Sequence, residues 1–144
     1  MAIEIRSFEI EDYDQVIQLW SACEGIGLSA ADSRERIAAY LERNPGCSFT
    51  AWEDGRLVGA VVSGHDGRRG YLHHLAVDAG TRGRGIGQAL ANHCLDALAR
   101  QDINKAHIFV YNTNANALAF WKHEGWQVRD HLMLMSIDLP QAAA

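Results

Sequence analysis

Chemistry concentrates in one short segment. From Leu75 the chain reads Leu-Ala-Val-Asp-Ala-Gly-Thr-Arg-Gly-Arg-Gly-Ile-Gly-Gln-Ala-Leu90, a strand-like run that passes through a loop of alternating glycine and arginine straight into a helical pattern. Gly83, Gly85 and Gly87 let the backbone take positive φ and approach a ligand closely, and the helix start offers N–H groups without carbonyl partners at the positive end of a dipole. Such a cradle binds anions. Arg82 and Arg84 add formal charge at the same place, which suits a pyrophosphate. The plainer reading is a tight turn with solvated arginines, but a surface turn has no need of three glycines alternating with cations.

Two common phosphate loops do not fit. A dinucleotide fingerprint requires G-x-G-x-x-G, but Gln88 stands where its third glycine belongs and no βαβ unit precedes it. A P-loop requires lysine after its glycines, and none follows. The charge balance of 13 basic and 18 acidic side chains gives −5, which argues against a general nucleic-acid binder while leaving room for a local basic pocket. The seven histidines show no ligand spacing, so no metal centre is expected. Cys23, Cys47 and Cys94 form no C-x-x-C pair and read as reduced thiols, Cys23 and Cys94 at apolar helical positions. No apolar run reaches the roughly 18 to 20 residues that span a bilayer, and Met1 to Asp12 lacks the basic flank and apolar stretch of a signal peptide. A cytoplasmic protein with no membrane or nucleic-acid partner is expected.

The elements that must position this loop alternate in kind. A length of 144 residues suits one domain, residues 1–144. Ile3 to Phe8 reads as a strand, and Tyr13, Val16, Ile17 and Trp20 at helical spacing follow it. Asp32 with Glu35 is a capping-box pattern opening a second helix with Ile37, Tyr40 and Leu41 on one face. Ser48 to Glu53, Arg56 to Gly64 and Tyr71 to Val77 read as an antiparallel meander, its first turn signalled by Asp54-Gly55. Ile86, Ala89, Leu90, Cys94, Ala97 and Leu98 mark an amphipathic helix ending near Arg100. His107 to Tyr111 reads as a strand, Ala117 to Glu124 as a short helix stopped by Gly125, and His131 to Leu139 as a closing strand, with one more at Trp126 to Arg129.

Arg82-Gly-Arg-Gly85-Ile-Gly87 resembles the Arg/Gln-x-x-Gly-x-Gly/Ala pyrophosphate loop of the GNAT superfamily, the acyl-CoA-dependent N-acyltransferases. Asn114-Ala-Asn-Ala-Leu-Ala-Phe-Trp-Lys-His-Glu-Gly-Trp126 resembles that family's Asn-x-x-Ala-x-x-Phe/Leu-Tyr-x-x-x-Gly-Phe segment, and the element order agrees along nearly the whole chain. The resemblance implies an α/β fold with a mixed central sheet of six to seven strands flanked by about four helices. It implies acetyl transfer from acetyl-CoA to a primary amine of a small molecule or protein, by direct attack in a ternary complex. A non-catalytic acyl-CoA-binding or sensing module is the alternative. The acceptor itself is not legible, and the free strand edges of so small a domain allow a homodimer.

The resemblance also assigns residues. Leu75, Ala76 and Val77 supply the strand edge for the pantetheine amides. The backbone of Arg82, Gly83, Arg84, Gly85, Ile86, Gly87 and Gln88 holds the pyrophosphate, and Asn114, equally readable as a helix cap, bonds the pantetheine arm. A backbone N–H near Leu75 faces the thioester carbonyl and the oxyanion that develops on attack. The acceptor ammonium must lose a proton. By strand alternation Tyr71, His73, Leu75 and Val77 share one face and Leu72, His74 and Ala76 the other, so Tyr71 and His73 are the candidates for base or water-orienting group, each equally readable as packing. Glu24 sits where the family shapes its acceptor pocket. Trp121 departs from the pattern, standing where the family has the tyrosine that protonates the CoA thiolate. An indole N–H donates a hydrogen bond but is no general acid, so Trp121 is either an aromatic wall with a donor or core filling beside Phe120.

Overall fold

The computed structural model describes residues 2–141. It contains two compact units, one up to Tyr111 and one from Asn112 onward. The first is built on a mixed sheet of five strands in the order β1-β2-β3-β4-β5: β1 (Glu4–Ser7), β2 (Phe49–Glu53), β3 (Arg56–His65), β4 (Gly70–Val77) and β5 (Ala106–Ile108). The first four pair antiparallel, and β5 runs parallel to β4. Asp54 and Gly55, both at positive φ (51° and 77°), make the two-residue turn between β2 and β3, where the primed twist matches that of the strands.

Helices cover both faces of the sheet. On one side α1 (Tyr13–Ala22) and α2 (Arg34–Arg43) enclose a core of Phe8, Val16, Trp20, Ile37, Val62 and Ala76. On the other lies α3 (Ile86–Arg100), whose Leu90 and Ile86 press so closely on β3 that a Cβ at Gly59 would fall 2.9 Å and 3.2 Å from them. With helices on both faces, β3 is buried from Leu57 to Gly64, which is why that stretch reads as a nearly continuous apolar run. No described helix is long and apolar enough to cross a membrane.

Three sequence expectations change. Asp32 does not cap α2. Ser33 does, its hydroxyl accepting from the Arg36 N–H at 3.2 Å, and Asp32 instead ends a 3-10 turn (Ala30–Asp32) where it pairs with Ser29. Cys23 is not inside a helix but caps the C-terminus of α1. The sheet has five strands rather than six or seven: β5 ends at Ile108, and neither 126–129 nor 131–139 forms a strand. Strand-forming residue types are not sufficient, because a strand exists only where a neighbour accepts its hydrogen bonds. Leu132, Met133, Leu134, Met135, Ile137 and Leu139 stand exposed.

The second unit holds α4 (Ala115–His123). Asn114 caps it, its side-chain oxygen accepting from the Ala117 N–H at 3.1 Å, and Gly125 at φ 95° ends it, the left-handed turn that glycine supplies without strain. Trp121 is buried, edge-on to Phe120 at 5.0 Å and to Trp126 at 5.1 Å between ring centroids.

Candidate active site

The glycine–arginine loop follows β4 through a short 3-10 turn (Ala79–Thr81). The side chain of Asp78 steadies the entry by accepting from the Gly80 N–H at 3.1 Å. Gly83 and Gly85 take φ of 81° and 80°, while Gly87 lies inside the first turn of α3. Only two of the three glycines therefore use the left-handed region. Gly85 is the N-cap of α3 and no side chain caps that helix, so first-turn N–H groups point outward, as an anion site requires. A Cβ at position 83 or 85 would meet nothing within 4 Å. The cradle is open as well as permissive.

The two arginines are not equivalent. Arg82 folds back so that its Nε donates to the Val77 carbonyl at 3.1 Å and its guanidinium lies 3.8 Å from Cys23 Sγ. Arg84 is engaged by Glu53 of β2, and that guanidinium holds the Glu53 carboxyl below its ordinary value. Arg84 thus reaches an anion at the cradle only as half of an ion pair.

β4 supplies the second feature. β5 pairs with it only from Gly70 to Leu72. Beyond Leu72 the outer edge of β4, which carries His73, Leu75, Ala76 and Val77, has no strand beside it among the described residues, and it leads directly into the cradle. Unpaired strand edges take extended amide-bearing ligands. Ala76 faces the core with Val16 and Trp20, which directs Leu75 and Val77 to the opposite side of the strand. The expected single face of Tyr71, His73, Leu75 and Val77 is therefore interrupted. Against β3 the register runs Ala60↔Ala76 and then Val62↔His73, so β4 carries one residue too many at a bulge, and His74 at φ 56° absorbs it.

Tyr71 and His73 do lie together. Their rings stack nearly parallel with centroids 6.3 Å apart, and Phe109 stacks on both, while Tyr40 of α2 meets His73 edge-on. Burial, followed by the neighbouring His74, pushes the pKa of His73 below its ordinary value of 6.5, with Asp32 opposing. His73 is therefore a neutral imidazole at neutral pH. Glu24 is exposed in the loop after α1.

Several neighbours escaped the sequence reading. His107 of β5 stands beside Tyr71 in register, ring centroids 5.6 Å apart. The Tyr111 hydroxyl occupies the space into which a Cβ at Gly27 would project, so that glycine permits the 24–29 loop to close on an aromatic ring. Asp32 pairs with His74 across the fold, Oδ1 to Nε2 2.9 Å. Cys23 also approaches the end of β4, Sγ 3.8 Å from the Val77 carbonyl. Burial drives Cys94 up to about 12 and raises Cys47, so neither is a thiolate. Among the described residues no cluster of His, Cys, Asp and Glu could hold a metal ion.

Comparison with known proteins bears on the fold and the family. A Yersinia pestis (strain Pestoides F) acetyltransferase is 30% identical over 132 residues, covering 92% of this chain and 93% of its own. The fold is similar to that of Ard1 from Thermoplasma volcanium, with a TM-score of 0.76 and 22% identity over 87% of this chain and 82% of that one. It is similar also to the PaiA N-acetyltransferase of Thermoplasma acidophilum, solved in complex with coenzyme A, with a TM-score of 0.77 and 20% identity over 90% and 92%. The profile of the acetyltransferase (GNAT) family matches residues 13–126, and the chain belongs to that family.

Proposed function

We propose that this acetyltransferase transfers the acetyl group of acetyl-CoA to a primary amine by direct attack, with both substrates bound together. The observation that carries the reading is the continuity of the open β4 edge with the uncapped N-terminus of α3. One presents backbone amide groups in line, the other N–H groups for a diphosphate, and CoA has a pantetheine arm and a diphosphate in that order. Leu75, Ala76 and Val77 offer the first and Arg82 to Gln88 the second. The Asn114 side chain, which caps α4, is proposed to bond the pantetheine arm as well. Trp121 is proposed as the aromatic wall near the departing sulfur, contributing an N–H donor rather than a proton.

The chain's own groups then divide the chemistry. The Leu75 N–H lies immediately after the bulge and is proposed to face the acetyl carbonyl, where negative charge develops on attack. Tyr71 and His73 line the side from which the amine arrives. Tyr71 orients nitrogen or water through its hydroxyl, and His73, neutral at neutral pH, accepts a hydrogen bond from the acceptor nitrogen. Glu24 adds negative charge at the approach for a cationic amine. A thiolate with an ordinary thiol pKa near 8.5 is a tolerable leaving anion, so the scheme needs no tyrosine at position 121. A route through acetylated Cys47 or Cys94 is disfavoured because both are buried and protonated.

Initial rates measured over a grid of acetyl-CoA and amine concentrations test the scheme. Intersecting double-reciprocal lines are expected. Parallel lines together with an acetylated protein recovered by mass spectrometry would overturn direct attack and point to Cys23.

A further inference from the structure

The bulge in β4 falls beside the proposed acyl site, and its strained residue is a histidine. Regular alternation would send His73 and His74 to opposite faces. The left-handed backbone at His74, a conformation that residues with a Cβ avoid, instead turns both rings toward the layer of α1 and α2. His73 meets Tyr40 of α2, and His74 meets Trp20 of α1 edge-on at 5.0 Å. Glycine would fill such a position without strain. A histidine held there points to a use for its ring.

The ring is held by a buried carboxylate. Asp32 Oδ1 lies 2.9 Å from His74 Nε2. Asp32 is itself fixed: its Oδ2 accepts from the Ser29 N–H at 3.0 Å, and its carbonyl accepts from the Tyr13 hydroxyl at 2.6 Å. A carboxylate only accepts, so Nε2 carries the hydrogen and Nδ1 keeps its lone pair. Among the described residues Nδ1 has no hydrogen-bond partner, and 19% of the side-chain surface remains open. Among the described residues the titratable groups against the ring are Asp32 from the turn before α2 and His73 beside it on β4, ring centroids 6.4 Å apart; the Tyr13 hydroxyl of α1 reaches the Asp32 carbonyl and Tyr40 of α2 meets His73. Among the described residues no carboxylate bonds the His73 ring, which is stacked into a wall with Tyr71 and Phe109.

We propose that His74, oriented by Asp32, is the group that takes the proton from the incoming ammonium, directly or through one water. This rests on the N-acetyl transfer reading above. One proton passes from the ammonium to His74 Nδ1, leaving the nitrogen lone pair free. That pair forms the C–N bond to the acetyl carbon. The C–S bond then breaks with its electrons on the CoA sulfur, and the second nitrogen proton, shed as the amide forms, reaches that sulfur through solvent. Asp32 holds the imidazolium until it returns its proton to water, the division of labour of an Asp–His pair.

The test is the pH dependence of kcat/KM for the wild type and for His74→Asn, Asp32→Asn and His73→Gln. Asparagine is chosen at position 74 because it tolerates the left-handed region. His74→Asn should lose the acidic limb and at least tenfold in rate while keeping CoA affinity. Asp32→Asn should lower kcat/KM and keep the limb, because the imidazole remains while the carboxylate that orients it is gone. His73→Gln should lower the rate and keep the limb. A limb that persists in folded His74→Asn, or that follows His73, would overturn the proposal while acetyl transfer itself stands. Nitrogen-15 NMR of the wild-type imidazoles decides independently of turnover and of variant folding. A neutral His74 with its hydrogen on Nε2 supports the assignment, and a hydrogen on Nδ1 overturns it.

Discussion

Gly85 can be perturbed with a matched control inside the same protein. It sits at φ 80° with open space around the position of a Cβ, and Gly67 in the β3–β4 turn sits at φ 93° with equally open space. Alanine at either site forces a Cβ into the left-handed region without a clash. Each substitution should cost about 1 to 2 kcal/mol of folding stability, or about 3 to 6 °C in the thermal midpoint for a domain of this size. The two variants should therefore look alike in a melting experiment. They should differ in binding. If the cradle holds the diphosphate, a methyl group at position 85 occupies ligand space, and a Kd at least tenfold weaker is expected, about 1.4 kcal/mol, whereas Gly67→Ala leaves the Kd unchanged. Gly85→Asp adds a like charge and should weaken binding by about a hundredfold. Isothermal titration with CoA at fixed ionic strength reads all three. Equal affinities for Gly85→Asp and Gly67→Ala, with both folded, would remove the cradle from the account.

Other outcomes follow from the same geometry. Tyr71→Phe should lower kcat severalfold with little change in the acetyl-CoA KM, measured by thiol release. Trp121→Tyr should retain or raise activity and Trp121→Phe should lose no more than roughly tenfold, since the indole is assigned a wall and a donor; a collapse in the Phe variant with CoA affinity intact would show a larger role for its N–H. Cys23→Ser should keep kcat within a few-fold, and a dead but folded variant would revive the acyl-enzyme route. His73 is held below 6.5 in the folded protein mainly by burial, so as pH falls the unfolded chain binds the proton first. The stability this residue contributes is intact above about 6.5 and is lost as pH drops through the folded value. His73→Gln should flatten that part of the profile in denaturant titrations.

The sequence made the fold legible where one segment decides its own structure. Asp54-Gly55 between two strand-like runs favours a primed turn, and the run from Ile86 to Arg100 carries a helical stripe long enough to be unambiguous. The cradle was legible for the same reason, since its glycines, cations and helix start are contiguous. What stayed hidden depends on distant partners. Asp32 looks like a cap for the helix that follows it, and only the folded chain brings its carboxylate to His74, 42 residues away. The bulge is equally invisible, because an extra residue in β4 is defined only by what β3 opposes to it. Alternation counted through that point assigned Leu75 and Val77 to the wrong side. At the C-terminal end, the apolar run of Leu, Met and Ile side chains reads locally as a strand, and no neighbouring strand pairs with it among the described residues.

The central claim is most directly tested by incubating the purified protein with acetyl-CoA and, one at a time, a panel of amines: peptide N-termini, lysine side chains, free amino acids, polyamines and aminoglycosides. Free thiol and the mass of each amine are followed together. The account predicts thiol release that depends on at least one amine, with one acetyl group gained by that amine per thiol released. Tight binding of CoA with thiol release no faster than spontaneous hydrolysis for every amine would contradict it.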